Sequence, residues 1–158
     1  VMEFCRQRHL PMASHDDTLV EHVEEALSNG ISISEFPTTT EAACCASENG
    51  MLVMMGAPNV VRGGSHSGNA SALDVAKEGH LGALSSDYVL AAVFELAAKE
   101  MMPLPAAVNL VSANPAESVG LDDRGRIDSG RRADMVRVHH MDDMPVVRNV
   151  WRQGVQVY

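Results

Sequence analysis

The sequence predicts an α/β fold: a parallel sheet covered by helices, followed by a small antiparallel β appendage. Three observations carry the prediction. Up to about residue 112, short apolar segments alternate with helix-periodic ones, the pattern of βαβ units whose strands run parallel. After that point, glycine-punctuated polar sequence gives way to short strands separated by turns, as in a hairpin-built unit. Polar residues of catalytic type follow the apolar segments, and parallel sheets and barrels bind ligands at those carboxyl ends. The expected organisation is a partial (β/α) unit over 1–112 and a small β segment over 113–158.

Each element has its own signal. Leu10 to Ser14 is short and apolar and ends at His15-Asp16-Asp17, a strand followed by a polar turn. Asp16 or Asp17 is placed to cap a helix in which Leu19, Val20, Val23, Ala26 and Leu27 recur at helical spacing, with Asn29-Gly30 as the stop. Ile31 to Phe36 alternates with period two until Pro37 ends it. Thr38 and Glu41 have the spacing of a capping box, opening a helix that runs to about Glu48. Met51 to Met55 reads as a buried strand, Asn69 to Lys77 as a weak helix and Leu81 to Ser85 as another strand. Val89 to Met101 is an apolar-periodic helix halted by Pro103 and Pro105, and Ala106 to Ser112 resumes as helix. In the last part, Ala133 to Val138 and Val146 to Val150 read as strands, and Gln153-Gly154 turns a hairpin into Val155 to Tyr158.

Composition bounds the function. At 158 residues and 46% hydrophobic content, the chain can bury one ordinary core. A net charge of −9 leaves no basic footprint and argues against a nucleic-acid partner. No apolar run approaches the ~18 residues of a membrane span, and no charged-then-apolar leader is present, so no membrane partner is expected. Three cysteines, two of them adjacent at Cys44 and Cys45, do not pair off and point to a reducing compartment. The expected location is the cytoplasm. The chain opens on Val1 close to its first strand, which predicts a truncated or cleaved polypeptide.

The stretch from Met55 to Asn69, MGAPNVVRGGSHSGN, has the residues of an anion-binding loop. Its glycines, among them Gly63 and Gly64, let a backbone turn N–H groups toward one point. Arg62 offers a fork for phosphate or carboxylate oxygens, and Ser65, His66, Ser67 and Asn69 add polar groups. Taken by composition alone, the same stretch also reads as a mobile surface loop. His15 is suited to ligate a divalent metal through a neutral imidazole nitrogen, with Asp16 fixing its tautomer. Asp87 reads either as a proton acceptor beside such a metal or as the N-cap of the following helix. Glu35 reads as a solvated edge position. The remaining histidines, including His22 and His80, have no ligand-like neighbours in sequence and read as surface residues, while Cys44 and Cys45 read as packing residues within a helix.

In order and wording, ASHDD at 13–17, SEFPTT at 34–39, the 55–69 loop, LSSDY at 84–88, NPA at 114–116, DRGRIDSGRRADMV at 123–136 and VWRQG at 150–154 resemble a known family. They resemble the phosphonate-utilisation members of the amidohydrolase superfamily, the α-D-ribose 1-methylphosphonate 5-triphosphate diphosphatases. The long loop is specific to that family, whereas the G…ADMV tail is shared across the superfamily.

The resemblance implies a TIM-like (β/α)8 barrel, of which this chain holds about strands six to eight, plus a small β domain. It implies a divalent metal at the barrel mouth, with zinc in first place and manganese or iron as alternatives. His15 matches a metal-site histidine after strand six, and Asp87 matches the metal-binding and catalytic aspartate after strand eight. Arg62, Gly63, Gly64, Ser65, His66, Ser67 and Asn69 would face the phosphates of a ribosyl phosphonate triphosphate, whose hydrolysis releases pyrophosphate.

Two metal-binding residues are fewer than a hydrolytic metal site uses, so the isolated chain is expected to be inactive. Open sheet edges further predict a homo-oligomer or association with the missing half of the barrel. Two other readings stay open: a different amidohydrolase, cleaving a cyclic amide or deaminating a base, and a non-catalytic phosphate-binding or association module.

Overall fold

Residues 1–65, 68–141 and 144–158 are described by the structure, a computed structural model. A short helix α1 (Met2–Gln7) precedes the sheet, where no element was expected. The chain then alternates β1 (Ala13–His15), α2 (Val20–Ser28), β2 (Ile33–Glu35), α3 (Thr40–Glu48), β3 (Leu52–Gly56), α4 (Ala57–Arg62), α5 (Ala72–Lys77) and β4 (Ala83–Ser85). The four strands form one parallel sheet in the order β1-β2-β3-β4, with Ser14 opposite Ser34, Ser34 opposite Val53 and Met55 opposite Leu84. An α/β fold with a parallel sheet is therefore present as the sequence predicts. The described sheet has four adjacent strands, whereas strands six to eight would be three.

Alternation at 31–36 suggested one solvated face, but Ile33 and Ser34 are both buried. A parallel strand covered on both faces has this property. The core is built mainly from small residues: Ala42, Ala43 and Ala46 of α3 and Val23 of α2 pack with Val53, Val60, Val75 and Leu96. Alanine at three positions of one face lets the α3 backbone lie close to its neighbours. Each buried valine or leucine contributes about 1.5–3 kcal/mol through removal of apolar surface from water.

Helix starts differ from the sequence expectation in instructive ways. The α2 start is closed by His22, whose Nδ1 accepts the backbone N–H groups of Thr18 and Leu19 at 3.2 and 3.4 Å, rather than by Asp16 or Asp17. For α3 the cap is Thr39, which accepts the Ala42 N–H at 3.1 Å. Thr38 instead donates its own N–H to the Asp17 carbonyl at 2.8 Å.

Beyond β4 come α6 (Val89–Ala98), α7 (Leu104–Asn109) and α8 (Ala113–Ser118). The Leu84 N–H donates to the Leu110 carbonyl at 3.0 Å, and Asn114 Nδ2 donates to the Gly82 carbonyl at 2.9 Å, tying the α7–α8 turn to β4. The NPA motif thus lies in a short helix that braces the last parallel strand. A second sheet, antiparallel in the order β5-β6-β7, comprises β5 (Met135–Met141), β6 (Met144–Arg152) and β7 (Val155–Gln156). Its β5–β6 pair is longer than the sequence suggested, and His140 stacks on Phe94 of α6 with ring centroids 4.6 Å apart. The Gln153 N–H, donated to Asp134 at 2.8 Å, and the Arg132 guanidinium hold the Asp134 carboxyl below its ordinary range and fix the approach to β5. Among the described residues, no helix is long and apolar enough to cross a membrane.

Candidate active site at the strand ends

The carboxyl ends of the parallel strands share an uncommon backbone feature. The residues directly after β1, β2 and β4 are Asp16, Phe36 and Ser86, and all three have positive φ, at 59°, 55° and 72°. Left-handed conformations in non-glycine residues cost of the order of 1–3 kcal/mol each and persist only where the surroundings enforce them. Here they turn the chain sharply out of the sheet. Nothing in the sequence announces them.

His15, the last residue of β1, stands 57% exposed at this end. Its Nδ1 lies 3.1 Å from Asp16 Oδ2, its Nε2 lies 3.9 Å from Glu35 Oε2, and its ring meets Phe36 edge-on at 5.5 Å. A neutral imidazole that donates its Nδ1 proton to Asp16 keeps the Nε2 lone pair for a cation. Glu35, expected as a solvated edge residue, faces that same nitrogen. Asp87 is exposed after β4 and has no side-chain partner among the described residues. It does not cap α6, whose N-terminal flanking residue is Tyr88 at φ 65° with no side-chain capping bond.

Beneath these groups, Asp17 organises the strand ends. It is only 6% exposed, and its Oδ2 accepts the hydroxyls of Ser14 at 2.5 Å and Ser34 at 2.8 Å. One buried carboxylate therefore joins β1 to β2 next to His15. Sequence reasoning assigned Asp17 only to capping; the seventeen-residue separation from Ser34 left no local signal.

The glycine-rich stretch is not a continuous loop. Residues Ala57–Arg62 form α4, with Pro58 in its first turn, and the helix ends at Gly63 in the left-handed region. Buried Ala57 and Val60 explain why this segment folds back onto the core. Asn59 braces the return: its Nδ2 donates to the Ala70 carbonyl at 3.1 Å and its Oδ1 accepts the Ala72 N–H at 3.0 Å. Arg62 is exposed and without a side-chain partner among the described residues.

Arg62, Gly64, Ser65 and Asn69 line one cleft of about 250 Å³ together with Asp16 and Ser86. The structure thus brings much of the expected anion loop to the strand ends. His15, Gly63 and Asp87 are not among the lining residues; they adjoin Asp16, Gly64 and Ser86, which are. His66 and Ser67 lie outside the described residues.

Members of the amidohydrolase superfamily typically use a divalent metal. The strand ends offer donor types suited to such an ion, an exposed imidazole with a carboxylate at its Nδ1, a second carboxylate facing its Nε2 and Asp87, although among the described residues no three of them are gathered within reach of one ion.

A different cluster went unread in the sequence. Cys44 of α3 lies against Glu78 and His80, with Sγ 3.1 Å from Glu78 Oε2. Burial and the adjacent Glu78 carboxylate push the Cys44 thiol up to about 11. Its partners lie thirty-four and thirty-six residues on, so only the packing of α3 on α5 reveals the group.

Comparisons with known proteins place this architecture. The chain is 46% identical over 164 residues to α-D-ribose 1-methylphosphonate 5-triphosphate diphosphatase of Escherichia coli strain K12, a match covering all of this chain and 43% of that protein. The chain thus spans less than half the length of that relative. An adenine deaminase of Ligilactobacillus salivarius strain UCC118 matches at 50% identity over 40 residues, 25% of this chain and 7% of the relative. Among solved structures, an amidohydrolase from Thermotoga maritima MSB8 superposes with a TM-score of 0.73 at 20% identity, covering 94% of this chain and 43% of that one. Enamidase superposes at 0.74 with 13% identity, covering 99% and 49% respectively, and these two likenesses establish the fold alone. The amidohydrolase family profile matches residues 7–157, and the chain belongs to that family.

Proposed function

We propose that this chain forms the C-terminal part of a metal-dependent diphosphatase that hydrolyses α-D-ribose 1-methylphosphonate 5-triphosphate and releases pyrophosphate. The observation that carries the reading is the cleft in which Arg62, Gly64, Ser65 and Asn69 meet Asp16 and Ser86 of the strand ends. Similarity along the whole chain to the Escherichia coli diphosphatase supports the choice of substrate. Within a (β/α)8 barrel, the four adjacent strands would be the last four if Asp87 follows the eighth. Counting back then places His15 after the fifth.

Each residue has a role that follows from its position. Arg62 binds phosphate oxygens through its guanidinium fork, and Gly64, Ser65 and Asn69 complete the anion contact from the turn that Gly63 opens. Asp16 accepts the Nδ1 proton of His15, which leaves the Nε2 lone pair for a cation. His15 and Asp87 would hold the divalent ion, which supplies Lewis acidity to a phosphoryl oxygen. The carboxylates of Asp16 and Glu35 would repel a polyphosphate entering beside them unless a cation held there offset their charge. Asp87 accepts a proton from the attacking water as the water oxygen bonds to phosphorus, and passes it to the departing pyrophosphate as the anhydride P–O bond breaks. On this reading residues outside the present chain complete the ligand set, and the chain taken alone is inactive.

The test is a chimera in which this chain replaces the matching segment of the Escherichia coli relative. Pyrophosphate release from the ribosyl triphosphate is expected, with an Asp87→Asn loss of about 10²–10⁴-fold, the range of general-acid–base groups. A folded, metal-loaded chimera that releases no pyrophosphate overturns the assignment.

A further inference from the structure

We propose that Cys44, Glu78 and His80 form a second divalent-cation site, of the zinc type, in the helical layer at the opposite end of the sheet from His15. One ligand atom from each residue lies within 4.8 Å of the other two. Cys44 is central in α3, Glu78 follows the last turn of α5, and His80 precedes β4. Between the latter two, Gly79 has φ 83°, a conformation that turns the chain so both side chains return toward α3. The turn is fixed by the Gly79 N–H donating to the Ala76 carbonyl and the His80 N–H donating to the Val75 carbonyl, both at 3.0 Å. Two of the three ligands are thus carried by a hydrogen-bonded backbone, and the third by a helix whose neighbouring Ala42, Ala43 and Ala46 are in the core.

The donor set selects the ion. Sulfur, nitrogen and a single carboxylate suit zinc, whereas magnesium and calcium prefer sites built from oxygen. Zinc bound at about 2.3 Å to sulfur and about 2.0–2.2 Å to nitrogen and oxygen, in tetrahedral geometry, needs ligand atoms roughly 3.3–3.7 Å apart. Cys44 and Glu78 are already at 3.1 Å, so closure requires His80 and Glu78 to move by about an ångström through side-chain rotation, with water as fourth ligand. Binding replaces the thiol proton: the S–H bond breaks, the proton leaves to solvent, and the sulfur electron pair bonds the metal. Glu78 exchanges its hydrogen bond from the thiol for the same ion. Such a site would fasten α3 to the turn that feeds β4. It shares no residue with the strand-end cleft and does not depend on the diphosphatase reading.

The purified chain is titrated with Co²⁺ and then Zn²⁺, with circular dichroism taken on each variant. A thiolate-to-cobalt charge-transfer band in the near ultraviolet is expected in the chain, in Cys45→Ser and in His15→Asn, and its loss in Cys44→Ser. Zinc affinity is expected to fall at least tenfold in His80→Gln and in Glu78→Gln, two variants that decide the matter should Cys44→Ser fail to fold. Absence of the band from the unmodified chain, its persistence in folded Cys44→Ser, or unchanged zinc affinity in His80→Gln overturns the site.

Discussion

The carboxylate of Asp17 accepts the hydroxyl of Ser34 at 2.8 Å across the β1–β2 pair, and both side chains are buried. Removing the acceptor leaves the buried Ser34 hydroxyl without it, while the half-buried Ser14 hydroxyl keeps a 3.4 Å contact to the Ile33 carbonyl. A buried polar group that loses its partner costs about 1–3 kcal/mol. Asp17→Ala is therefore expected to lower unfolding stability by at least that range, and Asp17→Asn, which keeps one carbonyl acceptor, by less. Urea unfolding of the two variants measures the difference; equal losses would mean that packing, not the hydroxyl contacts, sets the cost.

Arg62 supplies the exposed guanidinium of the cleft, against a chain whose net charge is −9. A hydrogen bond to a charged group contributes about 1.5–3 kcal/mol, equivalent to roughly 10–100-fold in affinity. Arg62→Ala is expected to weaken tripolyphosphate binding to the chain by that factor, with Arg62→Lys intermediate because it keeps charge but not the fork. Calorimetric titration reads this directly, and the same affinity in Arg62→Ala as in the unmodified chain would remove Arg62 from the anion site.

How far the sequence could be read depended on the range of the interactions. Strands β1, β3 and β4 were legible as short apolar runs with local stops, and β2 through its period-two alternation ended by Pro37. Helix α4 was not, because Pro58 and a glycine-rich continuation read as loop, although proline is tolerated in a first helical turn. The capping box at Thr38 and Glu41 was one residue early because Thr38 is occupied with Asp17 and Thr18. As candidates, His15 stood out through residue type and placement after a strand, and Arg62 through the glycine-rich stretch around it. Asp17–Ser34 and Cys44–Glu78–His80 did not, since each needs partners that only the packed fold supplies.

For Cys44 the fold favours the protonated thiol: burial and then the hydrogen bond to Glu78 raise its pKa from 9.0 to about 11. A raised folded-state pKa gives stability that is fully present below the unfolded value and is lost as pH rises through the folded one. With chelator present, the stability of the chain is expected to fall between pH 9 and pH 11 more steeply than that of Cys44→Ala. Cys45 is raised in the same direction, so the variant comparison isolates Cys44. Urea midpoints across that window decide it, and parallel curves would show that Cys44 does not contribute.

At Gly82, where the chain enters β4, the need is for space rather than for a left-handed backbone. A Cβ built there would lie 2.8 Å from Leu52 Cδ1 and 3.1 Å from both the nitrogen and the carbonyl oxygen of Val53. The leucine methyl has freedom to rotate away, but the Val53 backbone is fixed by the sheet, where its carbonyl accepts the Gly82 N–H at 2.9 Å. Gly82→Ala therefore pushes β4 away from β3 and strains the bond from Asn114 to the Gly82 carbonyl. Overpacking of this kind costs about 1–3 kcal/mol. The expected result is a lower thermal midpoint, with earlier hydrogen exchange at Leu84 of the same strand, whose N–H donates to the Leu110 carbonyl at the end of α7. Exchange at Leu84 unchanged from the unmodified chain would mean that β4 absorbs the methyl without separating from its neighbours.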